Sequence, residues 1–364
     1  MAIKFVDATA SGANNGTSWA NAYTSLNTAI SAANHAPGDQ YLVSGTFNET
    51  VAIAEVAAVT TPTRIQGDDK SGGAGVGQPA TFTIDGQSTR ANGYSNALGN
   101  VSLHYVIKDC RVTGCTGVGF AIGTASDFIV LKNCKADANG SWGFQCDNWA
   151  RFENCTALNN TANGGFDADD NCLFIGCLSQ GNTGAGFSGG ASLGTIVAFG
   201  CVASSNSGDG FLTPQDGGWV CINCTTDGDG KDTDTGFNSS NAALLANALL
   251  NCIAYDCTTG ISNGQNIGEL AIGRNNLVNG NTTAYSNAAT HTGEVTAAPD
   301  FVNEATGDYR LNSTSPAKAT GYDGGLLGTG AASKMDIGAI QREEPAGAAG
   351  GVIGGPNMRG GMMG

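Results

Sequence analysis

Apolar residues in the centre of the chain fall in short alternating runs, and Asn, Gly, Asp or Ser closes each run. Examples are Ile129 to Leu131, Phe152, and Leu173 to Ile175. Alternation broken by turn formers predicts strands and bends, and no apolar stripe of helical period crosses this region. The runs repeat. A unit reads apolar-x-Asn-Cys-x-Ala-x-x-Asn, then a polar glycine-rich stretch, then Gly-Phe, as from Phe152 to Phe166 and from Phe199 to Phe211. Seven cysteines mark the beat: Cys110, Cys134, Cys155, Cys177, Cys201, Cys224 and Cys252, with gaps of 24, 21, 22, 24, 23 and 28 residues. A glycine followed by an apolar residue keeps the same phase, from Gly119-Phe120 through Gly143-Phe144, Gly165-Phe166, Gly186-Phe187, Gly210-Phe211 and Gly236-Phe237 to Gly260-Ile261.

Two markers in phase define an internal repeat, and a period in the twenties indicates a solenoid. Leucine-rich repeats share the period but require several leucines per unit. One turn of about 22 residues accommodates three short strands and three bends. The sequence therefore predicts an all-β fold, a right-handed single-stranded parallel β-helix. Its turns lie about 4.8 Å apart, so equivalent side chains stack in ladders.

The cysteine ladder has a core explanation. A free cysteine is a small, buried hydrophobe and fits a narrow internal corner where leucine would clash. The asparagines before it (Asn133, Asn154, Asn223, Asn251) are expected to form a turn ladder, with amides bonding along the axis. The phenylalanines are expected to form a second internal stack. Cys221-x-x-Cys224 has zinc-like spacing, but no second pair and no histidine cluster completes four ligands. His35, His104 and His291 are widely dispersed. Cys115, Cys146, Cys172, Cys221 and Cys257 lie off the ladder, and the sequence leaves their redox state open.

Four segments follow. Residues 1–100 carry an N-terminal cap and the first rungs. A short capping helix is predicted over Thr24 to Ala33, from the spacing of Leu26, Ala29, Ile30 and Ala33, with Thr24 as its cap and Pro37-Gly38 as its stop. First strands are expected at Tyr41 to Val43, Thr50 to Ile53, Thr63 to Gln66 and Thr81 to Asp85. Regular rungs occupy 101–265 and C-terminal rungs with a cap 266–344. Asn241 to Leu250 reads as a helix-like insertion or an apolar strand. Residues 345–364 form a flexible tail with eight glycines and one charge, Arg359.

Charge alters the picture of partners. The chain has 16 Lys and Arg against 31 Asp and Glu, a net charge of −15, which disfavours nucleic acid and anionic membranes. No apolar run reaches transmembrane length. Met1 to Asp7 lacks the apolar stretch of a secretory signal, so synthesis in a reducing cytoplasm without a signal peptide is expected.

Two segments carry a family resemblance. The opening is Phe5-Val6-Asp7, Asn15-Gly16-Thr17-Ser18-Trp19-Ala20 and Gly45-Thr46-Phe47-Asn48-Glu49. The closing is Pro299-Asp300-Phe301-Val302, Gly307-Asp308-Tyr309-Arg310-Leu311, Ser315-Pro316-Ala317 and Asp336-Ile337-Gly338-Ala339. Both resemble right-handed β-helix proteins of the pectin-lyase-like superfamily. The resemblance implies the fold; the superfamily spans lyases, hydrolases, epimerases, adhesins and viral spikes. For its enzymes it implies an acidic calcium cluster with a basic proton acceptor, or closely placed aspartates as acid and base. Aligned on the Gly-Phe marker, Asp147 and Asp169 occupy one place in successive rungs, with Asp170 adjacent. These are the candidate catalytic carboxylates, and Asp147 and Asp169 are the candidate calcium ligands. Asp227, Asp229, Asp232 and Asp234 form a second acidic run, read as an exposed loop. The basic half is missing: between Arg151 and Arg274 the only cation is Lys231, and alignment places Arg151 near the next strand.

The leading expectation is therefore a non-catalytic structural or adhesive β-helix, a phage virion component of the head, neck or tail. It would be anchored to other virion or surface proteins through Val352, Ile353, Met358, Arg359, Met362 and Met363. Location on a virion or an extracellular surface, contact with glycans and a homotrimeric assembly go with that expectation, with no cofactor other than calcium. The alternative is a carbohydrate-active enzyme, a polysaccharide lyase or glycoside hydrolase of the tailspike depolymerase type. A bacterial surface adhesin is the third class.

Overall fold

The computed structural model describes residues 2–31, 33–52, 62–95, 104–122, 128–189, 195–213, 218–228, 235–239, 248–263, 272–286, 290–318, 320–321 and 336–338. The fold is an all-β right-handed parallel β-helix of about 8 turns, each about 24 residues long. The described residues fall into two compact units: those within Met1–Leu173 and Ser179–Gly184, and those within Phe174–Leu178 and Ala185–Gly364.

In the first unit, each turn contributes one strand to each of three parallel sheets, A, B and C. Sheet A runs through Gln40–Ser44, Thr63–Gly67, His104–Lys108, Phe128–Lys132 and Ala150–Glu153. Sheet B runs through Phe82–Asp85, Cys110–Thr113, Lys135–Asp137 and Thr156–Leu158. Sheet C runs through Tyr94–Ser95, Phe120–Ile122, Phe144–Cys146 and Gly164–Ala168. The register stacks like on like inside the coil. Ile65, Ile107, Leu131 and Phe152 form one internal column. Tyr94, Phe120, Phe144 and Phe166 form another, with ring centroids 5.2, 4.8 and 4.8 Å apart and planes nearly parallel. Each buried ring contributes about 1.5–3 kcal/mol of transfer free energy.

The second unit repeats the plan. Sheet A includes Thr195–Phe199, Gly218–Ile222 and Ala248–Leu250. Sheet B includes Val202–Ser204, Thr225–Asp227, Ile253–Tyr255 and Leu277–Asn279. Sheet C includes Ala185–Gly189, Phe211–Leu212, Thr235–Ser239 and Thr259–Asn263. Here Phe187, Phe211 and Phe237 stack at 4.7 and 5.0 Å.

The repeat motif has a local cause at two of the three corners. Between sheets A and B the residue before each ladder cysteine has a left-handed backbone. Asp109, Asn133, Asn154, Gly176, Gly200, Asn223 and Asn251 all have φ between 52° and 62°. Only Gly, Asn and Asp adopt this conformation readily, which fixes the Asn-Cys, Gly-Cys or Asp-Cys pairs of the sequence. The cysteine that follows turns inward, and all twelve cysteines are buried and free of disulfides. Several thiols donate to a carbonyl one turn back: Cys134 to Ile107 at 3.5 Å, Cys155 to Leu131 at 3.4 Å, and Cys224 to Ala198 at 3.5 Å.

Between sheets B and C the glycine of the Gly-Phe marker admits close approach of the next turn. A Cβ on Gly143 would meet the Gly165 carbonyl oxygen at 2.9 Å, and one on Gly210 would meet the Gly236 carbonyl oxygen at 2.6 Å. The amide ladder also lies at this corner. Fully buried Asn139, Asn160 and Asn182 are linked by Nδ2–Oδ1 bonds of 3.1 and 2.8 Å, and their Nδ2 groups also donate to the carbonyls of Val112, Ala136 and Ala157. The continuous ladder thus runs through Asn139, Asn160 and Asn182 and not, as expected, through the asparagines before the cysteines, although among those Asn133 does bond along the axis, its Nδ2 donating to Asp109 Oδ1 at 3.0 Å. Those asparagines are selected by backbone conformation. The Asn223 side-chain amide, though buried, finds no partner among the described residues, while its backbone amide donates to the Leu250 carbonyl at 2.9 Å.

The capping helix is shorter than predicted. It spans Leu26–Ala29, and Ser25, not Thr24, is its N-cap, accepting from the Thr28 amide at 3.0 Å. The Glu49 carboxylate adds a second cap, accepting from the Leu26 amide at 2.7 Å. Of Asn241 to Leu250, the strand Ala248–Leu250 is described and the rest lies outside the described residues. No helix among the described residues is long and apolar enough to cross a membrane.

After the last turns the chain covers the outside of sheet B in the second unit. Phe301–Asn303 and Asp308–Leu311 form an antiparallel pair. Phe301, Tyr309, Leu311, Ala317 and Ile337 pack on Val202, Ile253 and Leu277, which the coil alone would expose.

Candidate functional site

The described chemistry concentrates at the corner where sheet C turns into sheet A, in the first unit. Asp147 follows the strand Phe144–Cys146, and Asp169 follows the strand Gly164–Ala168 one turn later. The Asp169 amide donates to the carbonyls of Asp147 at 2.9 Å and Cys146 at 3.2 Å, so the two residues lie side by side in successive turns. Asp170 is fixed by its amide, which donates to Asn148 Oδ1 at 3.0 Å, and by its carbonyl, which accepts from the Trp149 amide at 3.0 Å.

A fourth carboxylate, Asp167, was not singled out from the sequence. It sits at the outward position of its strand, two residues before Asp169, whose charge reaches it. Gln145, its neighbour one turn back, donates to Asp167 Oδ2 at 3.0 Å. Burial pushes the Asp167 carboxyl up to about 6. The Asp169 charge adds to the rise, and the Gln145 bond opposes it. Asp169 is also shifted upward, by burial first and then by the charge of Asp170. The available signal in the sequence was Asp-x-Asp in one rung.

Two exposed aromatic side chains lie where sheet A begins in these turns. Phe128 is 55 % exposed and Trp149 is 47 % exposed, and their ring centroids are 5.8 Å apart. Trp149 joins the acidic corner directly through its backbone bond to Asp170. Large apolar side chains are seldom left in water without a partner surface, and paired rings of this kind suit the apolar faces of sugars.

Basic side chains lie further along sheet A, beyond the aromatic pair. Arg151 is on the strand Ala150–Glu153, where its Nε pairs with Glu153 Oε1 at 2.5 Å. Lys132 pairs with the same carboxylate at 3.1 Å. Glu153 thus engages both cations. No group of three or more His, Cys, Asp or Glu side chains among the described residues is arranged to hold a metal ion.

Other expected residues lie elsewhere. Asp227 was read as part of an exposed loop, but it is buried at 4 % exposure because Tyr309 covers it and donates to its Oδ2 at 2.8 Å. Asp229, Asp232 and Asp234 lie outside the described residues, as do Val352, Ile353, Met358, Arg359, Met362 and Met363 of the tail. The ladder cysteines line the internal corner between sheets A and B and take no part in the surface site.

No protein-family model and no curated protein sequence matches this chain. Solved structures do resemble it. Pectate lyase Pel9A superposes with a TM-score of 0.65 at 16 % identity, covering 94 % of this chain and 97 % of that one. The A-module of the mannuronan C-5 epimerase AlgE6 from Azotobacter vinelandii gives a TM-score of 0.47 at 14 % identity, covering 72 % of this chain and 84 % of that one. The periplasmic alginate epimerase AlgG gives 0.31 at 10 % identity, covering 71 % and 69 %. The fold is thus the pectin-lyase-like β-helix. Pectate lyase Pel9A is not described as a virion component, so the similarity lends no support to that expectation.

Proposed function

We propose that this protein is carbohydrate-active and that the corner between sheets C and A of its first unit binds a polysaccharide and hydrolyses it. The observation that carries this reading is Asp167. Its carboxyl is pushed up to about 6 beside Asp169, so it keeps its proton in weakly acidic solution, and the exposed Phe128–Trp149 pair meets the same corner through the Trp149–Asp170 backbone bond. Asp167 would act as the general acid that protonates the leaving oxygen. Asp169 would act as the base that activates water.

Hydrolysis is favoured over elimination because Arg151, the basic residue that follows Trp149 on sheet A, is engaged by Glu153. An elimination reaction needs a base that takes a proton from carbon, and a basic residue freed from its partners would have to supply it. The same acidity favours a neutral or weakly charged glycan, because a polyuronate would meet like charge at Asp147, Asp169 and Asp170. The pectate lyase of similar fold acts, by its name, on pectate, which supports a polysaccharide as the ligand class.

The test is incubation of the full chain with neutral polysaccharides and, separately, with polyuronates. New reducing ends without unsaturated products are expected on a neutral glycan, lost in Asp167→Asn. Unsaturated products would replace hydrolysis by elimination. Binding without cleavage would return the protein to the adhesive role expected from its sequence.

A further inference from the structure

Cys146 and Cys172 are the only two of the twelve cysteines at the corner between sheets C and A. Cys146 ends the strand Phe144–Cys146, in a column whose neighbours one turn away on either side are Ile122 and Ala168. Cys172 lies in the following turn, two residues after Asp170. Their Sγ atoms are 3.8 Å apart. The Cys172 thiol also sits 3.6 Å from the carbonyl oxygens of both Asp147 and Asp170. The two sulfurs therefore join the two turns that carry the candidate carboxylates, immediately beneath them.

We propose that Cys146 and Cys172 form a reversible disulfide that clamps this corner. The inference rests on the proposed glycan site only for its consequence, not for the bond itself. A disulfide needs an S–S distance of about 2.05 Å, so the sulfurs must close by less than 2 Å, within reach of side-chain rotation. The oxidant is a low-mass disulfide, RSSR. One cysteine loses its proton and attacks a sulfur of RSSR. The S–S bond of RSSR breaks, and RS⁻ leaves and takes up the proton as RSH. The second cysteine, deprotonated in turn, attacks the protein sulfur of the mixed disulfide and expels the second RS⁻, which also becomes RSH. The two thiols are oxidised by two electrons and RSSR is reduced to two RSH. Cys146 and Cys172 are 4 % and 1 % exposed, so exchange proceeds through local opening of the corner and is slow.

The clamp acts on measurable bonds. The amides of Asp169 and Asp170 donate across the same two turns, to the Asp147 carbonyl and to Asn148 Oδ1. Closing the bridge restricts the opening that exposes them. The experiment treats the folded full-length protein with 2-hydroxyethyl disulfide and compares it with the reduced protein. Peptide mapping without reduction is expected to find a Cys146–Cys172 cross-link, absent in Cys172→Ser and in Cys146→Ser. Hydrogen exchange at Asp169 and Asp170 is expected to slow by at least about tenfold in the oxidised form. Bridges between other cysteines, persistence of both thiols through prolonged exposure, or unchanged exchange at these amides would overturn the proposal. The measurement is repeated on Asp167→Asn, in which the bridge is expected to form as before. Failure of the glycan reading therefore leaves this result standing, and failure of the bridge leaves the glycan reading untouched.

Discussion

The Tyr309 hydroxyl donates to the Asp227 carboxylate at 2.8 Å across 82 residues of chain. This bond pins the returning C-terminal strand to the outer face of sheet B in the second unit, where Phe301, Leu311, Ala317 and Ile337 complete the apolar cover. Tyr309→Phe keeps the packing and removes one donor from a buried carboxylate. A loss of about 1–3 kcal/mol is expected, read from chemical denaturation. A change within experimental error would show that the cover is held by apolar contact alone.

The ladder cysteines are expected to tolerate loss of sulfur better than gain of volume. Cys155→Ser preserves a donor to the Leu131 carbonyl, whereas Cys155→Leu overpacks the corner and costs about 1–3 kcal/mol. Both variants are compared by thermal melting. The native protein should react slowly with a thiol reagent and fast once denatured.

Gly143→Ala tests why the Gly-Phe marker exists. The added methyl would sit 2.9 Å from both the Gly165 carbonyl oxygen and Asn160 Nδ2, and 3.0 Å from the Ala157 methyl. Backbone φ is not the obstacle, since Gly143 is not in the left-handed region. A cost of about 1–3 kcal/mol from overpacking is expected. An unchanged melting temperature would mean that the turns can separate.

Two buried groups set opposite pH trends. The folded Asp167 carboxyl titrates at about 6, above its unfolded value near 3.8. Its contribution to stability is therefore full below about pH 3.8 and is lost as pH rises through about 6. His35 donates to or accepts from the Tyr41 hydroxyl at 2.8 Å, and burial lowers its affinity for a proton below the usual 6.5. Its contribution is present above about pH 6.5 and falls as the pH drops from there through the lowered folded value. Asp167→Asn should remove the first trend and leave the second, as measured by melting across pH 3 to 8. If the two profiles coincide, Asp167 is not shifted. In the hydrolytic reading the rate should also fall above about pH 6, where the general acid is ionised.

Trp149→Ala should weaken glycan binding by about three- to tenfold while changing stability by no more than about 0.5 kcal/mol, because the ring is half in water. Affinity measured by calorimetry on the full chain decides the matter. Equal weakening in a variant of a distant surface residue would deny Trp149 a specific role.

What the sequence determined by itself was whatever one turn of the coil demands of its own residues. The Asn-Cys and Gly-Cys pairs follow from a left-handed corner that few residues adopt, and Gly-Phe follows from a contact that excludes a Cβ. Both requirements recur in every turn, so they appear as a period, and the period identified the β-helix. Tertiary structure decided everything that depends on which turn lies beside which surface. Asn139, Asn160 and Asn182 carry the amide ladder because their side chains point into the coil and meet one another, while Asn133 and Asn223 share the same residue type at a different corner. Asp227 is buried because Tyr309 returns to it from far along the chain. Asp167 is shifted upward because neighbouring turns bury it and place the Asp169 charge close by. Phe128 and Trp149, 21 residues apart, become a pair only when consecutive turns stack. Backbone conformation is a local property and is written locally; burial, charge coupling and the pairing of side chains are properties of the stacked coil.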